Sequence, residues 1–455
     1  MEFLLLTIAL LLLLLAGLGL SLLLLPKRPT GAAELFALSF LFGSAIISLS
    51  SFLLGFLVSG LWLRGSVALL CVAIGLLGIR RRGLKLQSGN FDGSNKWLLA
   101  IAAVQVAVVA WLSSVRVLGW DGLFNFEIKA RLAFQNGGVL PLEFFSDPSR
   151  SWTLQSYPLL LPLTESWMYL WLGRADQHLV KLLFLFFFAS ALCLLCTGNR
   201  LFSLRSWQRF VSLLLVFTVP SLLIGDGSAS SGYADFPLAV FYLASVIYLA
   251  EFWRTGEFSA LRLAAALAGA GCWLKQEGAI LWFCVMILAA IRLIQIRADW
   301  RKWTELAKAA IPGLLIILGW QAFVRWASLP DIKQFSSLSF AMLRSNLWRV
   351  PLITEAVFRE LTNWRHWGAL WLIWLAAIVW LFWRRNRSEA LLPFAVLLPL
   401  AFYASIYVFS LWPSFITHLE SSFPRLLIQL SLVSVWCVVA AAQPSPYNKQ
   451  LDSQT

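Results

Sequence analysis

Polar side chains that could do chemistry stand at places where long apolar runs of this sequence end. The first place is "LGWDGLFNFEIKAR" (118–131), which follows the apolar run "WLLAIAAVQVAVVAWLSSV". Asp121 appears as soon as that run ends, and Asn125 and Lys129 follow it among large hydrophobic residues. A carboxylate held at such a boundary can take a proton from a hydroxyl group as a general base. An ordinary interfacial acid is the alternative interpretation of Asp121.

The second place is "GDGSASSGYADFPLAVF" (225–241), which carries Tyr233 and Asp235. Its glycines and serines favour a tight turn with close backbone approach. Asp235 is followed two residues later by Pro237, which is typical of a helix that begins there. An acid in the first turn of a helix is favoured by the helix dipole by about 0.3–1 kcal/mol, so a purely structural role for Asp235 stays open.

The third place is "CWLKQEGAILWF" (272–283), where Lys275 and Glu277 interrupt an apolar stretch. A charge at membrane depth costs about 2.5–3.5 kcal/mol on insertion scales, so charges there are usually paired or functional. A short turn holding both signs predicts that Lys275 and Glu277 pair with each other. A simple loop between two helices is the alternative.

The fourth place is "THLESSFPRLLIQL" (417–430), where His418 and Arg425 precede or enter the last apolar run. The planar guanidinium fork of arginine matches the oxygens of a phosphate, so Arg425 is a candidate phosphate ligand. An arginine whose head extends to the water interface is the competing interpretation. The sequence contains no GxxxxGK loop, so ATP-driven chemistry is not indicated.

The elements that must position these residues are membrane helices. The chain has 455 residues, of which 60% are hydrophobic and 13% are charged, and its mean hydropathy is +0.78. No soluble domain could bury that much apolar surface, whereas apolar runs of about 20 residues span a bilayer. The six cysteines fall inside apolar runs, and no zinc motif can be recognised. The net charge of +14 is spread over short clusters, which is typical of topology-setting loops rather than of nucleic-acid binding.

The sequence predicts an all-α polytopic fold with about thirteen transmembrane helices. Basic clusters such as "PKR" (26–28), "RRRGLK" (80–85) and "RRNR" (384–387) fall in alternate loops, and the positive-inside rule makes those loops cytoplasmic. The N-terminus is then outside and the C-terminus cytoplasmic, with a short disordered tail at 443–455. The predicted spans are 3–25, 33–58, 61–79, 97–118, 179–198, 209–225, 234–253, 260–274, 278–296, 305–326, 367–383, 389–411 and 424–442.

Two long loops lie on the outer side, at about 119–178 and 327–366. Both loops are expected to carry amphipathic surface helices. In the first loop Trp120, Phe124, Ile128 and Leu132 recur every four residues, which predicts an amphipathic helix lying in the membrane interface. Both loops are also basic, although topology does not require basic residues on the outside. An anionic ligand or anionic lipid headgroups would explain them.

Taken together, these motifs resemble the GT-C superfamily of membrane glycosyltransferases, which includes protein O-mannosyltransferases and bacterial aminoarabinose transferases. The resemblance rests on the acid at a span exit, on "YPLLLPL" (157–163), and on "GYADFPLA", "KQEGA" and "SSFPRLLIQ" in that order. It covers about residues 97–430. Three spans (1–96) precede the core at 97–326, where these families usually have one, and 327–442 would hold the second loop and last spans. A single acid, Asp121, stands where several relatives have an adjacent pair.

The resemblance implies an inverting transfer of a sugar from a polyprenyl-phosphate donor to a lipid, glycan or protein acceptor at the outer face. Asp121 would be the catalytic base. No cofactor and no metal are expected, nucleic acid is not a partner, and membrane lipids surround the protein. The resemblance also implies a bacterial inner membrane with a periplasmic site. The expected substrate-binding residues are Asn125, Lys129, Tyr157, Tyr233, Asp235, Lys275, Glu277, His418 and Arg425.

Two other functions stay open at this point. A transporter or flippase of an anionic, lipid-linked substrate would also bury charges, but such proteins usually bind near the bilayer midplane on helices of paired repeats. An enzyme like the O-antigen ligases or polymerases would act on the same class of lipid-linked glycan. It would be expected to use Arg and His of a large outer loop rather than an acid at a span exit.

Overall fold

The computed structural model describes residues 2–83, 93–329, 334–337, 339–383 and 391–442. Within these ranges every regular element is helical, and the one β-type pairing is an isolated antiparallel bridge between Phe335 and Ser410. The all-α prediction is therefore confirmed. The tail predicted at 443–455 and the basic run at 384–387 lie outside the described residues.

The first part of the chain forms four long helices. Their bounds are α1 (Glu2–Leu24), α2 (Ala32–Leu54), α3 (Gly60–Arg82) and α4 (Gly93–Val115). Glycines allow close approach between α1 and α2, because a Cβ at Gly17 would overlap the carbonyl oxygen of Ser39. Small residues at helix crossings are typical of membrane bundles, where apolar contact alone does not drive association.

The segment between α4 and the next long helix forms short helices. It contains a π-helix (Gly122–Glu127), α5 (Ile128–Gln135), α6 (Leu142–Ser146), a 3₁₀ turn (Pro148–Thr153) and α7 (Leu160–Leu172). The middle of the chain then forms α8 (Leu182–Leu201), α9 (Ser206–Phe217), α10 (Pro220–Leu223), α11 (Asp235–Thr255), α12 (Phe258–Cys272), α13 (Glu277–Gln295) and α14 (Trp300–Trp326).

The last part of the chain begins with a second group of short helices. The bounds are α15 (Phe340–Asn346), α16 (Arg349–Leu361), α17 (Trp364–Trp367), α18 (Leu370–Trp383), α19 (Phe394–Ser405) and α20 (Phe415–Ala441). Across the described ranges, nine helices are long and apolar enough to cross a membrane: α1, α2, α3, α4, α8, α11, α13, α14 and α20. The protein is thus an all-α membrane protein.

A buried ion-pair cluster joins helix ends at one side of the bundle. The guanidinium of Arg28, after α1, lies 2.6 Å from a carboxylate oxygen of Glu34 on α2 and 2.6 Å from one of Glu251 on α11. Arg200 of α8 also pairs with Glu34, and the Tyr248 hydroxyl donates to Glu34 at 2.7 Å. The Glu34 side chain is fully buried. The cluster therefore ties the N-terminal helices to α8 and α11.

The opposite ends of the helices carry different contacts. Glu2, at the start of α1, pairs with Arg174 after α7 at 3.0 Å. The Lys181 ammonium donates to the carbonyl oxygens of Ser113 (2.9 Å) and Arg116 at the end of α4. Because the last carbonyls of a helix have no partner within the helix, Lys181 caps α4 just before Asp121.

Several basic residues of the two loops predicted to lie outside are engaged within the protein, in contacts that the sequence alone could not identify. These contacts account for part of the basic character of the loops, and recognition of an anionic ligand or of anionic lipid headgroups stays a prediction. The internal contacts are Arg131 with Glu127, Arg150 with Asp147, Arg174 with Glu2 and Asp176, Arg359 with Glu420, and Arg349 with the carbonyls of Val408 and Ser410.

The expectation of surface helices in the first outer loop is wrong for α7. Nearly all residues of α7 are buried, because the helix is inserted against α1, α2 and α5. The Thr164 hydroxyl is 3.3 Å from the carbonyl oxygen of Ser44, and the Trp167 indole donates to Ala9 at 3.1 Å. The "YPLLLPL" segment thus leads into a helix of the core.

Glu34→Gln is expected to lower the stability of the fold by about 3 kcal/mol, because removing one member of a buried ion pair leaves the other charge uncompensated. Unfolding of the purified protein in detergent measures the loss. Glu251→Gln is the matched control, since Glu251 shares Arg28 with Glu34 but is less buried and should cost clearly less. Equal losses in the two variants would contradict a cluster organised around Glu34.

Candidate functional site

The centre of the candidate site is the carboxylate of Asp235, which is fully buried. Its Oδ1 accepts from Nζ of Lys275 at 2.6 Å and from Nε2 of Gln429 at 2.8 Å. Its Oδ2 accepts from Nε and Nη2 of Arg425 at 3.2 and 3.1 Å. A buried carboxylate is very costly unless donors surround it, and four donors surround this one.

Two further carboxylates extend the cluster on either side of Asp235. Nη2 of Arg425 lies 2.5 Å from Oδ2 of Asp121, and Nζ of Lys275 lies 3.0 Å from Oε1 of Glu277. The order of contacts is Asp121, Arg425, Asp235, Lys275 and Glu277. Asp121, Arg425 and Glu277 are each about one-fifth exposed, whereas Asp235 and Lys275 are buried. These three side chains are therefore the part of the cluster that is partly exposed.

Four separate parts of the chain supply these residues. Asp235 is the first residue of α11, as the sequence predicts, and Lys275 lies in the turn between α12 and α13. Asp121 immediately precedes the π-helix Gly122–Glu127. Arg425 lies on α20, where Gln429 follows it by one turn on the same face. π-helical turns are rare and occur often at functional sites.

The loop between α10 and α11 holds the Asp121 segment against Asp235. The Gly119 amide donates to the carbonyl of Ser231 at 2.8 Å. A Cβ at Gly122 would lie 2.6 Å from that same carbonyl oxygen, so the two backbones touch. Gly227 has a φ of +86°, and a Cβ there would lie 2.8 Å from Cδ1 of Ile428, 3.3 Å from Cβ of Asp235 and 3.5 Å from Cγ of Arg425. Only glycine fits this position without strain.

Tyr233 covers Arg425 from the loop side. The guanidinium carbon of Arg425 lies 4.6 Å from the centre of the Tyr233 ring, which is a cation–π contact. Burial raises the pKa of Tyr233 above its usual range, although a hydrogen bond with the Asp121 backbone partly opposes this effect. The hydroxyl is therefore neutral and can donate or accept a hydrogen bond at physiological pH.

Lys275 stays charged although it is buried. Burial alone would lower its pKa, but the carboxylates of Asp235 and Glu277 outweigh that effect and raise the pKa above the usual value. The predicted pairing of Lys275 with Glu277 is confirmed at 3.0 Å. The partner that the sequence did not indicate is Asp235.

The remaining predicted residues lie at different distances from this cluster. Lys129 is fully buried on α5, and its ammonium lies 5.9 Å from the centre of the Tyr157 ring. Asn125 is buried in the π-helix, and its Oδ1 has no hydrogen-bond partner among the described residues. His418 makes no contact with the ion pairs: its ring stacks on Trp412 at 4.5 Å, and Nδ1 is 2.8 Å from the Ser410 hydroxyl.

Gln429 and Tyr403 complete the site but were not predicted from the sequence. Gln429 donates to Asp235, and its Oε1 accepts from the Tyr403 hydroxyl at 2.6 Å. The position of Gln429 four residues after Arg425 is the one signal that could have indicated it, because both side chains then share a face of α20. Tyr403 lies in an apolar run without any such signal.

The arrangement offers a partly exposed carboxylate, Asp121, next to the partly exposed Arg425 and the buried Lys275. Such a site can remove a proton and can stabilise a negative charge that develops close by. Within the described ranges, no group of three His, Cys, Asp or Glu side chains could hold a metal ion. No family model, no curated protein and no solved structure matches this chain.

Gly227→Ala is expected to destabilise the protein and to displace Arg425, because the added methyl group meets the packed face of α20 and a positive φ is unfavourable for alanine. The control is Gly225→Ala, which has a φ of +102° but no described atom within 4 Å of the new methyl group. Gly225→Ala should therefore lower the stability only through the unfavourable positive φ of alanine, by about 1 kcal/mol. Thermal unfolding in detergent should show a clearly larger loss for Gly227→Ala, and equal losses would exclude the close-packing interpretation.

Proposed function

We propose that this protein is an inverting membrane glycosyltransferase that transfers a sugar from a polyprenyl-phosphate donor at the outer face of the membrane. The observation that carries the proposal is the contact of Arg425 with both Asp121 and Asp235. This contact joins a candidate base to a candidate phosphate ligand across more than 300 residues of sequence. The resemblance of the sequence motifs to the GT-C superfamily supplies the reaction type.

The proposed reaction is a single displacement at the anomeric carbon. The acceptor hydroxyl oxygen forms a bond to that carbon as the bond to the phosphate oxygen breaks. The departing phosphate keeps the electron pair, and the Asp121 carboxylate takes the proton of the hydroxyl. A positioned base of this kind contributes about 10²–10⁴-fold in rate.

Arg425 would stabilise the phosphate that develops negative charge. Without a donor, its Nη2 is occupied by Asp121 at 2.5 Å and by Asp235 at 3.1 Å. A phosphate that binds Arg425 competes with Asp121 for the same nitrogen and thereby leaves the Asp121 carboxylate for the acceptor. Asp235 remains behind Arg425 and Lys275 as the fixed counter-charge, so both cations keep their positions during the exchange.

The proposed architecture has thirteen spans. Four shorter apolar helices, α9, α12, α18 and α19, would cross the membrane together with the nine long ones. The positive-inside rule places the Arg28 and Glu34 cluster in the cytoplasm and the N-terminus outside. The membrane would be a bacterial inner membrane, with 1–96 as an added three-span unit before the core.

The position of the site favours an enzyme over a transporter. Asp121, Asp235, Lys275 and Glu277 all lie at helix ends of one side, whereas transporters usually bind near the bilayer midplane between paired repeats. An O-antigen ligase-like reaction would use the same donor chemistry. A direct assay separates a transferase from a transporter: purified protein is incubated with a panel of polyprenyl-phosphate sugars, and release of the lipid phosphate is measured.

Asp121→Asn is expected to lower sugar transfer by about 10²-fold or more, because the amide cannot take the proton of the acceptor hydroxyl. Expression and thermal stability in detergent should stay close to wild type, since the amide can still accept a hydrogen bond from Arg425. Asp226→Asn is the matched control, because Asp226 lies on the neighbouring loop and is exposed. Wild-type turnover by Asp121→Asn would exclude Asp121 as the base.

A further inference from the structure

Three buried lysines lie near the outer ends of the helices, and their partners differ. Lys275 contacts two carboxylates, Asp235 and Glu277. Lys181 donates to two carbonyl oxygens at the C-terminus of α4, where the helix dipole favours a cation. Lys129 donates to one carbonyl oxygen, that of Leu154 at 2.8 Å. An ammonium group has three donors, so Lys129 is the least satisfied of the three.

No charged group near Lys129 forms an ion pair with it among the described residues. On its own helical segment, Glu127 pairs with Arg131 at 2.9 Å and accepts from Tyr169 at 3.2 Å. Arg150, in the neighbouring 3₁₀ turn, pairs with Asp147, and Glu165 on α7 lies near Glu127. Within the described part of the chain, no carboxylate lies within ion-pair distance of Lys129, although Asp121 is near enough to act on it electrostatically.

The segment that covers Lys129 is held in a strained conformation. Leu154, whose carbonyl accepts from Lys129, has a φ of 50° and a ψ of 63°, a left-handed conformation that is unfavourable for leucine. Two residues later, the carbonyl of Ser156 accepts from the Trp320 indole at 2.9 Å. Lys129 on one side and Trp320 on the other thus hold segment 154–157 beside the site.

The charge balance of the site also requires another cation for an anionic substrate. Asp121, Asp235 and Glu277 provide three carboxylates, whereas Arg425 and Lys275 provide two cations. A phosphate entering this cluster alone would meet an excess of negative charge. Bringing a like charge into a site of low dielectric is strongly unfavourable.

We propose that Lys129 is an anion-receiving residue, whose unused ammonium donors bind the phosphate oxygens of the lipid donor. This inference rests on the proposed function. Phosphate binding would move Lys129 from the Leu154 carbonyl and would let Leu154 leave its strained conformation, so that segment 154–157 opens as the donor enters. Asp121 would then lie between the phosphate-bound Lys129 and the acceptor hydroxyl.

The protonation of Lys129 should be coupled to this binding. Burial lowers the pKa of Lys129 to about 7, although the charge of Asp121 partly opposes the effect. Above that pH the free protein holds a neutral amine, which cannot attract an anion. Affinity for a phosphate should therefore fall as the pH rises above about 7, and the bound phosphate should cause uptake of a proton.

The test measures binding of undecaprenyl phosphate to the protein in phosphatidylcholine nanodiscs, and it needs no turnover. Lys129→Met should weaken binding about 10- to 100-fold, the usual effect of a hydrogen bond to a charged group. Its thermal midpoint should equal or exceed that of wild type, because a buried and poorly paired charge is removed. The control is Arg131→Met on the same helix, which should bind as wild type does.

The pH arm compares wild type with Lys129→Arg, in which the charge is permanent. Dividing the wild-type affinity by the Lys129→Arg affinity at each pH removes the effect of the probe's own titration. This ratio should fall between about pH 6 and about pH 9. Parallel pH profiles, or wild-type affinity in Lys129→Met, would overturn the proposal. So would Lys129→Met losing stability and binding together.

Two competitors identify the source of the anion. Displacement of the probe by inorganic phosphate supports recognition of the phosphate group, whereas displacement by phosphatidylglycerol at membrane concentrations would overturn the assignment to the donor lipid. The outcome is separable from that of the proposed function. Lys129→Met could lose phosphate binding while the wild type shows no sugar transfer. That result would support the anion site at Lys129 and would exclude the proposed glycosyltransferase function.

Discussion

The buried carboxylate of Asp235 is the constraint on which the site depends. This buried charge persists only because Lys275, Gln429 and Arg425 all donate to it: Lys275 comes from the α12–α13 turn, and Arg425 and Gln429 come from α20. The carboxylate therefore fixes the relative positions of α11, α20 and the α12–α13 turn more tightly than apolar contacts would. Hydrophobic burial cannot do the same in a membrane, because lipid is as apolar as the helix surfaces.

The buried Asp235 carboxylate also determines which ion-pair partners of Arg425 and Lys275 can be exchanged. Arg425 and Lys275 bind Asp235 on their buried sides, and each has a second carboxylate on its more open side. The open-side partners, Asp121 and Glu277, are the groups that can be exchanged without exposing Asp235. A site built in this way can change its outer contacts while its buried contacts stay in place.

Hydropathy predicted the all-helical architecture well, and it predicted helix ends less well. The last span was predicted at 424–442, yet α20 begins at Phe415 and contains Pro424 in its interior. Proline is tolerated inside membrane helices when neighbouring groups satisfy the freed carbonyl. The four-residue repeat from Trp120 predicted a short helix, and the structure has a π-helix over Gly122–Glu127 that continues into the α-helix α5. Gln429 was not predicted, because its partner Asp235 is distant in sequence and only its position four residues after Arg425 pointed to it.

The contrast between Lys275 and Lys129 shows why the types of residues alone could not assign their roles. Both lysines follow apolar runs, and both were expected to bind substrate. Lys275 is surrounded by carboxylates, so its charge is already compensated and its main effect is to hold Asp235 and Glu277. Lys129 has the same burial but donates to one carbonyl and lies over the Tyr157 ring, so no carboxylate pairs with its charge, as expected of a lysine that receives an anion. In the proposed roles, the degree of pairing in the folded chain is therefore the property that separates a structural lysine such as Lys275 from a binding one such as Lys129.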